Sequence, residues 1–261
     1  MTTATTPPSA TPGREPDAEP LAGRRVLVTG ASAGIGESTA RALAARGARV
    51  ALLARRADRL AELAAELPGA VAVPADITDD DAAGAAVERA AAALGGLDAL
   101  VNAAGVFHGG PVVGEEPTTP AQWRDMFALN VVALLVVTRA AAPHLRASDR
   151  DPAVVNVSSM SGRRVPGAAG AVYAASKHAV HAVSDGLRME LAPDGVRVTT
   201  VAPGFVRTGI VDGWPDGELR ERYTERLETV GLDPAVVADA VLHVMGSPAQ
   251  VVEYAVTSVE Q

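Results

Sequence analysis

Cysteine is absent from the 261 residues, so the chain can form no disulfide, thiol nucleophile, iron–sulfur cluster or thiolate zinc site. Aromatic residues make up only 3%, and of the 23 basic residues all are Arg except Lys177. Asparagine is confined to Asn102, Asn130 and Asn156. With a formal charge of -8 and no long basic run, the chain offers no footprint for nucleic acid. Long apolar runs are also missing. The longest on a candidate helix, Val131–Val137, falls far short of the ~20 residues a bilayer needs, so no membrane span is expected.

What is abundant explains what is rare. A bias toward Ala, Gly, Arg, Val and Pro matches GC-rich coding, in which surface cations become Arg by default. A solitary Lys in that background calls for a chemical reason. Residues 1–20 are rich in Pro and Thr with little to bury, and read as a disordered tail. That stretch lacks the apolar core of a secretory signal and has no basic residue before Arg14. Together with the missing cysteines, this points to the cytoplasm.

Residues 21–261 read as a single domain. Strand-like runs at Arg25–Thr29, Val50–Leu53, Val71–Val73, Leu97–Val101, Val154–Val157, Val196–Val201 and Tyr254–Val256 are separated by helical patterns. Glu37–Arg46 is helical and stops at Gly47; Arg59–Leu67 carries Leu60, Leu63, Ala64 and Leu67 on one face, with Asp58 expected as its N-cap. Asp79–Asp81 suit the positive end of the helix that runs to Leu94. Buried strands alternating with helices give an α/β fold: a doubly wound parallel sheet of about seven strands with helices on both faces.

The first strand runs directly through Thr29-Gly30-Ala31-Ser32-Ala33-Gly34-Ile35-Gly36 into a helix. Such a junction aims backbone N–H groups and a helix dipole at a pyrophosphate. The spacing T-G-x-x-x-G-x-G resembles that of the short-chain dehydrogenase/reductase family, in its branch of shorter, single-domain members with a Rossmann-type sheet. Gly30, Ser32, Gly34, Ile35 and Gly36 are the implied phosphate-side contacts. Cofactor choice turns on the end of the second strand, where a carboxylate about 20 residues past the glycines would bind a ribose hydroxyl and repel a 2′-phosphate. Here Leu53-Ala54-Arg55-Arg56 offers two cations instead, which favours NADP(H), with Arg55 the leading contact and Arg56 either a second one or a solvated loop residue.

Further segments add to the resemblance. Asp76-Ile77 resembles the family's adenine contact, although Asp76 would equally serve as a plain loop acid. Asn102-Ala103-Ala104-Gly105 resembles the turn in which Asn102 ties the loop to the sheet while Ala104 and Gly105 let the cofactor approach. Pro203-Gly204-Phe205-Val206-Arg207-Thr208 resembles the segment that holds the nicotinamide carboxamide. It implies contacts at Pro203, Gly204, Val206 and Thr208, and pro-S hydride transfer.

Tyr173 and Lys177 stand four residues apart on a helical segment and so share a face. A phenol with pKa about 10 is a reluctant proton carrier at neutral pH, and a nearby cation favours its ionised form. The chain's solitary Lys four residues from one of 3 Tyr is the strongest chemical signal in the sequence. Asn156-Val157-Ser158-Ser159-Met160-Ser161-Gly162 resembles the segment whose second Ser binds the substrate carbonyl, which points to Ser159. The interval from Ser159 to Tyr173 is one residue longer than the family's usual spacing, an addition assigned to Gly167–Gly170; Ser158 and Ser161 are the alternatives. Asn130, a polar residue on an apolar helical stretch, resembles the Asn that kinks the helix and holds a water passing protons to the Lys.

The resemblance implies an NADP(H)-dependent oxidoreductase, with Asn130, Ser159, Tyr173 and Lys177 catalytic, acting on a small-molecule carbonyl or alcohol. Phe107, Val165 and Trp214 are candidate walls, which suits a medium-sized, partly apolar ketone or aldehyde. His108 is placed to edge that pocket, and His144 and His243 read as surface. His178 and His181 lack further residues at ligand spacing, so no metal is expected; His181 would face a subunit interface. The family also implies a homo-oligomer, dimer or tetramer, packed through the helix of Tyr173 and Lys177. A different reading is a non-catalytic NADP(H) sensor, which would have no use for a tuned phenol.

Overall fold

The structure, a computed structural model, describes residues 21–115 and 117–260; the expected N-terminal tail lies outside them. Its parallel strands are β1 (Arg25–Thr29), β2 (Arg49–Ala54), β3 (Val71–Pro74), β4 (Ala99–Asn102), β5 (Ala153–Val157), β6 (Arg197–Pro203) and β7 (Glu253–Val256). They form one 7-stranded sheet in the order β3-β2-β1-β4-β5-β6-β7. Strands buried on both faces are Val-, Leu- and Ala-rich rather than alternating, as β5 with every residue buried illustrates.

The helices are α1 (Gly34–Ala45), α2 (Ala57–Glu66), α3 (Asp80–Leu94), α4 (Pro120–Phe127), α5 (Leu134–Arg146), α6 (Ala171–Leu191), α7 (Glu218–Val230) and α8 (Pro234–Gly246). One core layer packs Ala40 and Leu43 of α1, Leu60 and Leu63 of α2, and Val237 and Val241 of α8 against Val26, Val28, Val50 and Leu52. The opposite layer sets Ala86 and Val87 of α3, Val137 and Leu145 of α5, and Leu191 of α6 against Leu27, Leu53 and Leu100. The chain leaves β1 toward β2 on one side and returns to β4 on the other. The strand order therefore reverses between β1 and β4, and a crevice opens at their carboxyl ends.

Some helix ends follow local chemistry. Asp79 caps α3 by accepting from Ala82 N at 2.9 Å, and Thr119 and Gln122 form a capping box on α4. Asp58 is not the cap of α2: that helix starts at Ala57 after Arg56, so Asp58 lies in the first turn and meets the helix dipole instead.

Between α4 and α5 the chain winds one π-helical turn, Ala128–Ala133. The combined run Pro120–Arg146, with mean hydropathy 1.8, is long and apolar enough by length and composition to cross a membrane. Its buried side chains, including Ala133, Val136 and Val137, pack on the sheet and α3, as in a core helix.

Candidate active site

A groove of about 500 Å³ follows the carboxyl ends of β1, β2, β3 and β4. It is lined at one end by Ser32, Arg55, Arg56, Asp76 and Ile77, and at the other by Tyr173, Lys177 and Thr208. Two glycines make its floor possible. A Cβ on Gly30, whose φ is +67°, would sit 2.8 Å from the Ala104 backbone, where the β1 and β4 turns meet. A Cβ on Gly36 would lie 2.3 Å from the Gly30 carbonyl oxygen and push α1 off the sheet. Thr29 clasps the same junction, its Oγ1 accepting from Ala103 N at 3.1 Å and Ala104 N at 3.2 Å. The Thr before the glycines was legible as part of the motif, but its bond to a distant turn was not.

The two cations at the far end differ in their surroundings. Arg56 donates to Ser32 Oγ at 3.1 Å and to the Ser32 carbonyl at 2.9 Å, so it braces the glycine turn. Arg55 is exposed beside Asp76, whose carboxyl is held below the usual range by two hydrogen bonds from Thr78, with the Arg55 charge adding to the effect. Ser32, Arg55 and Arg56 thus present a hydroxyl and two guanidiniums along one rim. The bare glycine floor fits the close approach of a dinucleotide.

At the opposite end, α6 brings Tyr173 and Lys177 to the crevice, the lysine buried and the phenol half-buried. The phenol is hydrogen-bonded to the Ser159 side chain. The Ser158 hydroxyl is engaged elsewhere, Oγ donating to the Lys177 carbonyl at 3.2 Å, and Ser161 donates its backbone N–H to Ser159 Oγ at 3.0 Å. A 3₁₀ turn, Ala168–Gly170, leads into α6. Lys177 Nζ lies 5.8 Å from the Tyr173 ring centre and donates to the Val157 carbonyl at 3.1 Å.

The electrostatics depart from expectation. Instead of being drawn down by the ammonium, the Tyr173 hydroxyl is pushed up to about 12 by burial, which the Ser159 bond only partly offsets. Burial lowers Lys177 to about 8. Desolvation disfavours the charged form of each group.

All three asparagines are buried in polar links around this edge. Asn102 Nδ2 donates to Asn156 Oδ1 at 2.9 Å and to Thr138 Oγ1 at 3.1 Å, and Asn156 Nδ2 donates to Ser184 Oγ at 2.9 Å. Asn130 sits in the π-helical turn; its Oδ1 accepts from Val106 N at 2.8 Å, while Nδ2 donates to the Val106 carbonyl and to Ser176 Oγ, both at 3.0 Å. That side chain clamps the loop after β4 to α6 one residue from Lys177. The partners Thr138, Ser176 and Ser184 gave no signal of their own in the sequence, because short hydroxyls on helices are common.

A second cavity of about 420 Å³ adjoins the groove, and Tyr173 lines both. Its walls include Phe107, Val165, Tyr223 and Leu227, with Ser159 at the shared end. Trp214 is not one of them. It is buried behind Phe107, its ring 4.7 Å away edge-on and its indole N–H donating to the Phe107 carbonyl. His108 does not edge the cavity either, being drawn to Asp125 on α4 at 2.6 Å. His181 packs against Gly162 and faces Glu253 at 4.0 Å. Pro203, the last residue of β6, lines the same cavity with Gly204, Val206 and Thr208 beyond it.

The sequence profile of the short-chain dehydrogenase family matches residues 24–218. The chain belongs to this family. Among its relatives, the human dehydrogenase/reductase SDR family member 11 is 33% identical over 238 residues, covering 87% of this chain and 90% of that protein. An uncharacterised oxidoreductase of Staphylococcus aureus is 31% identical over 233 residues, covering 88% and 94%. A short-chain dehydrogenase of Burkholderia cenocepacia, solved in complex with NADP, superposes with a TM-score of 0.80 at 34% identity over 91% of this chain and 98% of that one. A member from Burkholderia phymatum in complex with NAD shares the fold at TM-score 0.82 but only 23% identity. Membership makes this chain a nicotinamide-dependent oxidoreductase of the short-chain class, and leaves open which of the two dinucleotides it prefers.

Proposed function

We propose that this short-chain dehydrogenase is NADP(H)-dependent and interconverts a medium-sized ketone or aldehyde with its alcohol. The observation that carries the reading is the position of Tyr173: one half-buried phenol lines both cavities, bonded to Ser159 and one helical turn from Lys177. Bound in the groove, NADP(H) supplies or accepts the hydride. Ser159 orients the carbonyl oxygen, and Tyr173 delivers a proton to it as the alcohol forms. With its hydroxyl pushed up to about 12, Tyr173 is protonated at neutral pH, which suits the reducing direction. Lys177 offers ammonium donors beyond the one given to Val157, toward a ribose in the groove. Both amide hydrogens and the oxygen of the Asn130 side chain are committed, so any relay through Asn130 runs from its main-chain carbonyl.

Gly30, Gly34, Ile35 and Gly36 cradle the pyrophosphate, Asp76 and Ile77 meet the adenine, and Ala104 and Gly105 leave room beside it. Asn102 holds that turn in place. Thr208, with Pro203, Gly204 and Val206, fixes the nicotinamide. Ser32, Arg55 and Arg56 hold the 2′-phosphate. We assign the active form to a homo-oligomer packed on α6, where Met189 is 75% exposed.

The test is NADPH oxidation with a panel of ketones, comparing the wild type with Tyr173→Phe. Turnover is expected in the wild type and a loss of about 10²–10⁴-fold in the variant, with cofactor binding kept. Tight cofactor binding with no turnover of any carbonyl would instead leave a sensor. For the cofactor, Arg55→Ala is expected to weaken NADPH binding by about tenfold or more while sparing NADH. Equal effects on both would remove the assignment of the phosphate site.

A further inference from the structure

The cavity beside Tyr173 carries a charge pattern that the reaction described above does not require. Its lining is apolar along Phe107, Met160, Val165 and Leu227, yet it includes two guanidiniums, Arg164 and Arg226, and no carboxylate. The chain as a whole has 31 acidic against 23 basic residues, so a wall with two cations and no acid runs against its composition. Both are exposed and neither is in an ion pair among the described residues, whereas Arg163 and Arg207 are. Arg163, next to Arg164, pairs with Glu253 at 2.9 Å, and Arg207 reaches Asp233 at 3.4 Å.

Arg226 is held in place without a counter-ion. Its guanidinium stacks 5.0 Å from the Phe205 ring centre, a cation–π contact within the cavity wall. Its charge is also felt by the neighbouring Tyr223 hydroxyl, which burial pushes up and which Arg222 and Arg226 pull back. Arg164 approaches from another element, the segment between β5 and α6, beside the exposed Val165 and Pro166. Two cations from separate parts of the chain therefore border one cavity. Neither lines the groove that holds Arg55 and Arg56, so they do not serve the phosphates of a dinucleotide there.

We propose that the substrate is an oxo acid: a ketone or aldehyde with an apolar body and, at the end remote from the reacting carbonyl, an anionic group received by Arg164 and Arg226. This rests on the reductase reading and narrows it from a partly apolar carbonyl compound to one with a terminal anion. The carbonyl end meets Ser159 and Tyr173; the apolar body lies along Phe107, Tyr223 and Leu227. A carboxylate suits the site because a guanidinium offers it paired donors, and because no acid in the lining opposes it. The chemical step is unchanged. The carbonyl carbon gains a hydride from NADPH, its oxygen gains the Tyr173 proton, and the anionic end stays intact.

The probes are straight-chain methyl-ketone carboxylic acids of increasing length, each paired with its methyl ester. Binding to the NADP(H)-loaded protein is followed by titration calorimetry, and turnover by NADPH oxidation, at neutral pH. At the favoured length the acid is expected to bind about tenfold or more tightly than its ester. That preference should fall toward unity in Arg164→Gln and Arg226→Gln, and reverse in Arg226→Glu, while the affinity for the ester stays within about threefold of wild type. Turnover of neutral ketones without a preference for any acid overturns the oxo-acid proposal and leaves the reductase reading standing. Arginine-dependent binding of acids without turnover supports the anion site and removes the reductase reading. Absence of an arginine-dependent preference at every length overturns the proposal even if some acid is reduced.

Discussion

Lys177 shows what a functional side chain costs a fold. Burial lowers its pKa from an ordinary 10.5 to about 8, a penalty of about 3 kcal/mol against the folded state at neutral pH. The sign follows from the charged form being disfavoured. The penalty is complete below about pH 8, shrinks as the unfolded chain alone holds the proton, and disappears above 10.5. Replacing Lys177 by Met removes the charge but orphans the Val157 carbonyl, which costs about 1 kcal/mol. The Lys177→Met protein is therefore expected to be about 2 kcal/mol more stable at neutral pH and to melt several degrees higher, while losing reductase activity. The gain should fade in melting curves taken at higher pH. A variant that melts lower than wild type at neutral pH would show that the ammonium stabilises the fold.

At the scale of elements, the junction between β1 and α1 decides whether a dinucleotide can lie against the sheet. A methyl group at Gly36 meets the Gly30 carbonyl oxygen at 2.3 Å, backbone against helix, so neither side can move aside cheaply. Gly36→Ala is expected to cost about 1–3 kcal/mol in denaturant unfolding and to weaken NADPH binding by more than tenfold in a fluorescence titration. Wild-type affinity in that variant would mean that the turn yields without disturbing the groove. The π-helical turn at Ala128–Ala133 is the second element that matters. By breaking the regular helical register it places the Asn130 amide where it spans the β4 loop and α6. An Asn on an apolar helix marked the position in the sequence. The change of winding left no mark, because it depends on packing against two other elements.

Across the whole molecule, the two ends of the sheet divide the work. The carboxyl ends of the strands are left open for ligands, while the amino ends are tied by ion pairs. Asp98, buried at the start of β4, accepts from Arg25 Nε at 3.0 Å, Arg25 N at 2.9 Å and Ser148 Oγ at 2.7 Å. Burial would raise its carboxyl pKa, but these bonds outweigh it and hold the value below the usual range. The resulting stabilisation is present above the ordinary carboxylate pKa and is lost as pH falls through the depressed one. Asp98→Asn should therefore cost about 2–3 kcal/mol at neutral pH, less in acid, with kcat unchanged because the site lies at the other end. A fall in kcat at unchanged stability would contradict this separation of the two ends.

By itself the sequence determined the order of strands and helices, the glycine turn, and the pairing of Tyr173 with Lys177. Each is written in local spacing: alternating strand and helix patterns, glycines where a side chain cannot fit, and four residues for one helical turn. Composition added to this, because one Lys and three Asn stand out in a chain where such residues are rare. Only the tertiary structure decided what those groups experience. It set Ser159 rather than its neighbours against the phenol, turned Trp214 behind Phe107, drew His108 to Asp125, and reversed the expected direction of the Tyr173 shift. The reason is that burial and charge at a point are sums over residues far apart in the chain. Arg164 and Arg226, separated by more than a helix and a strand, border one cavity only because the sheet brings their segments to the same edge.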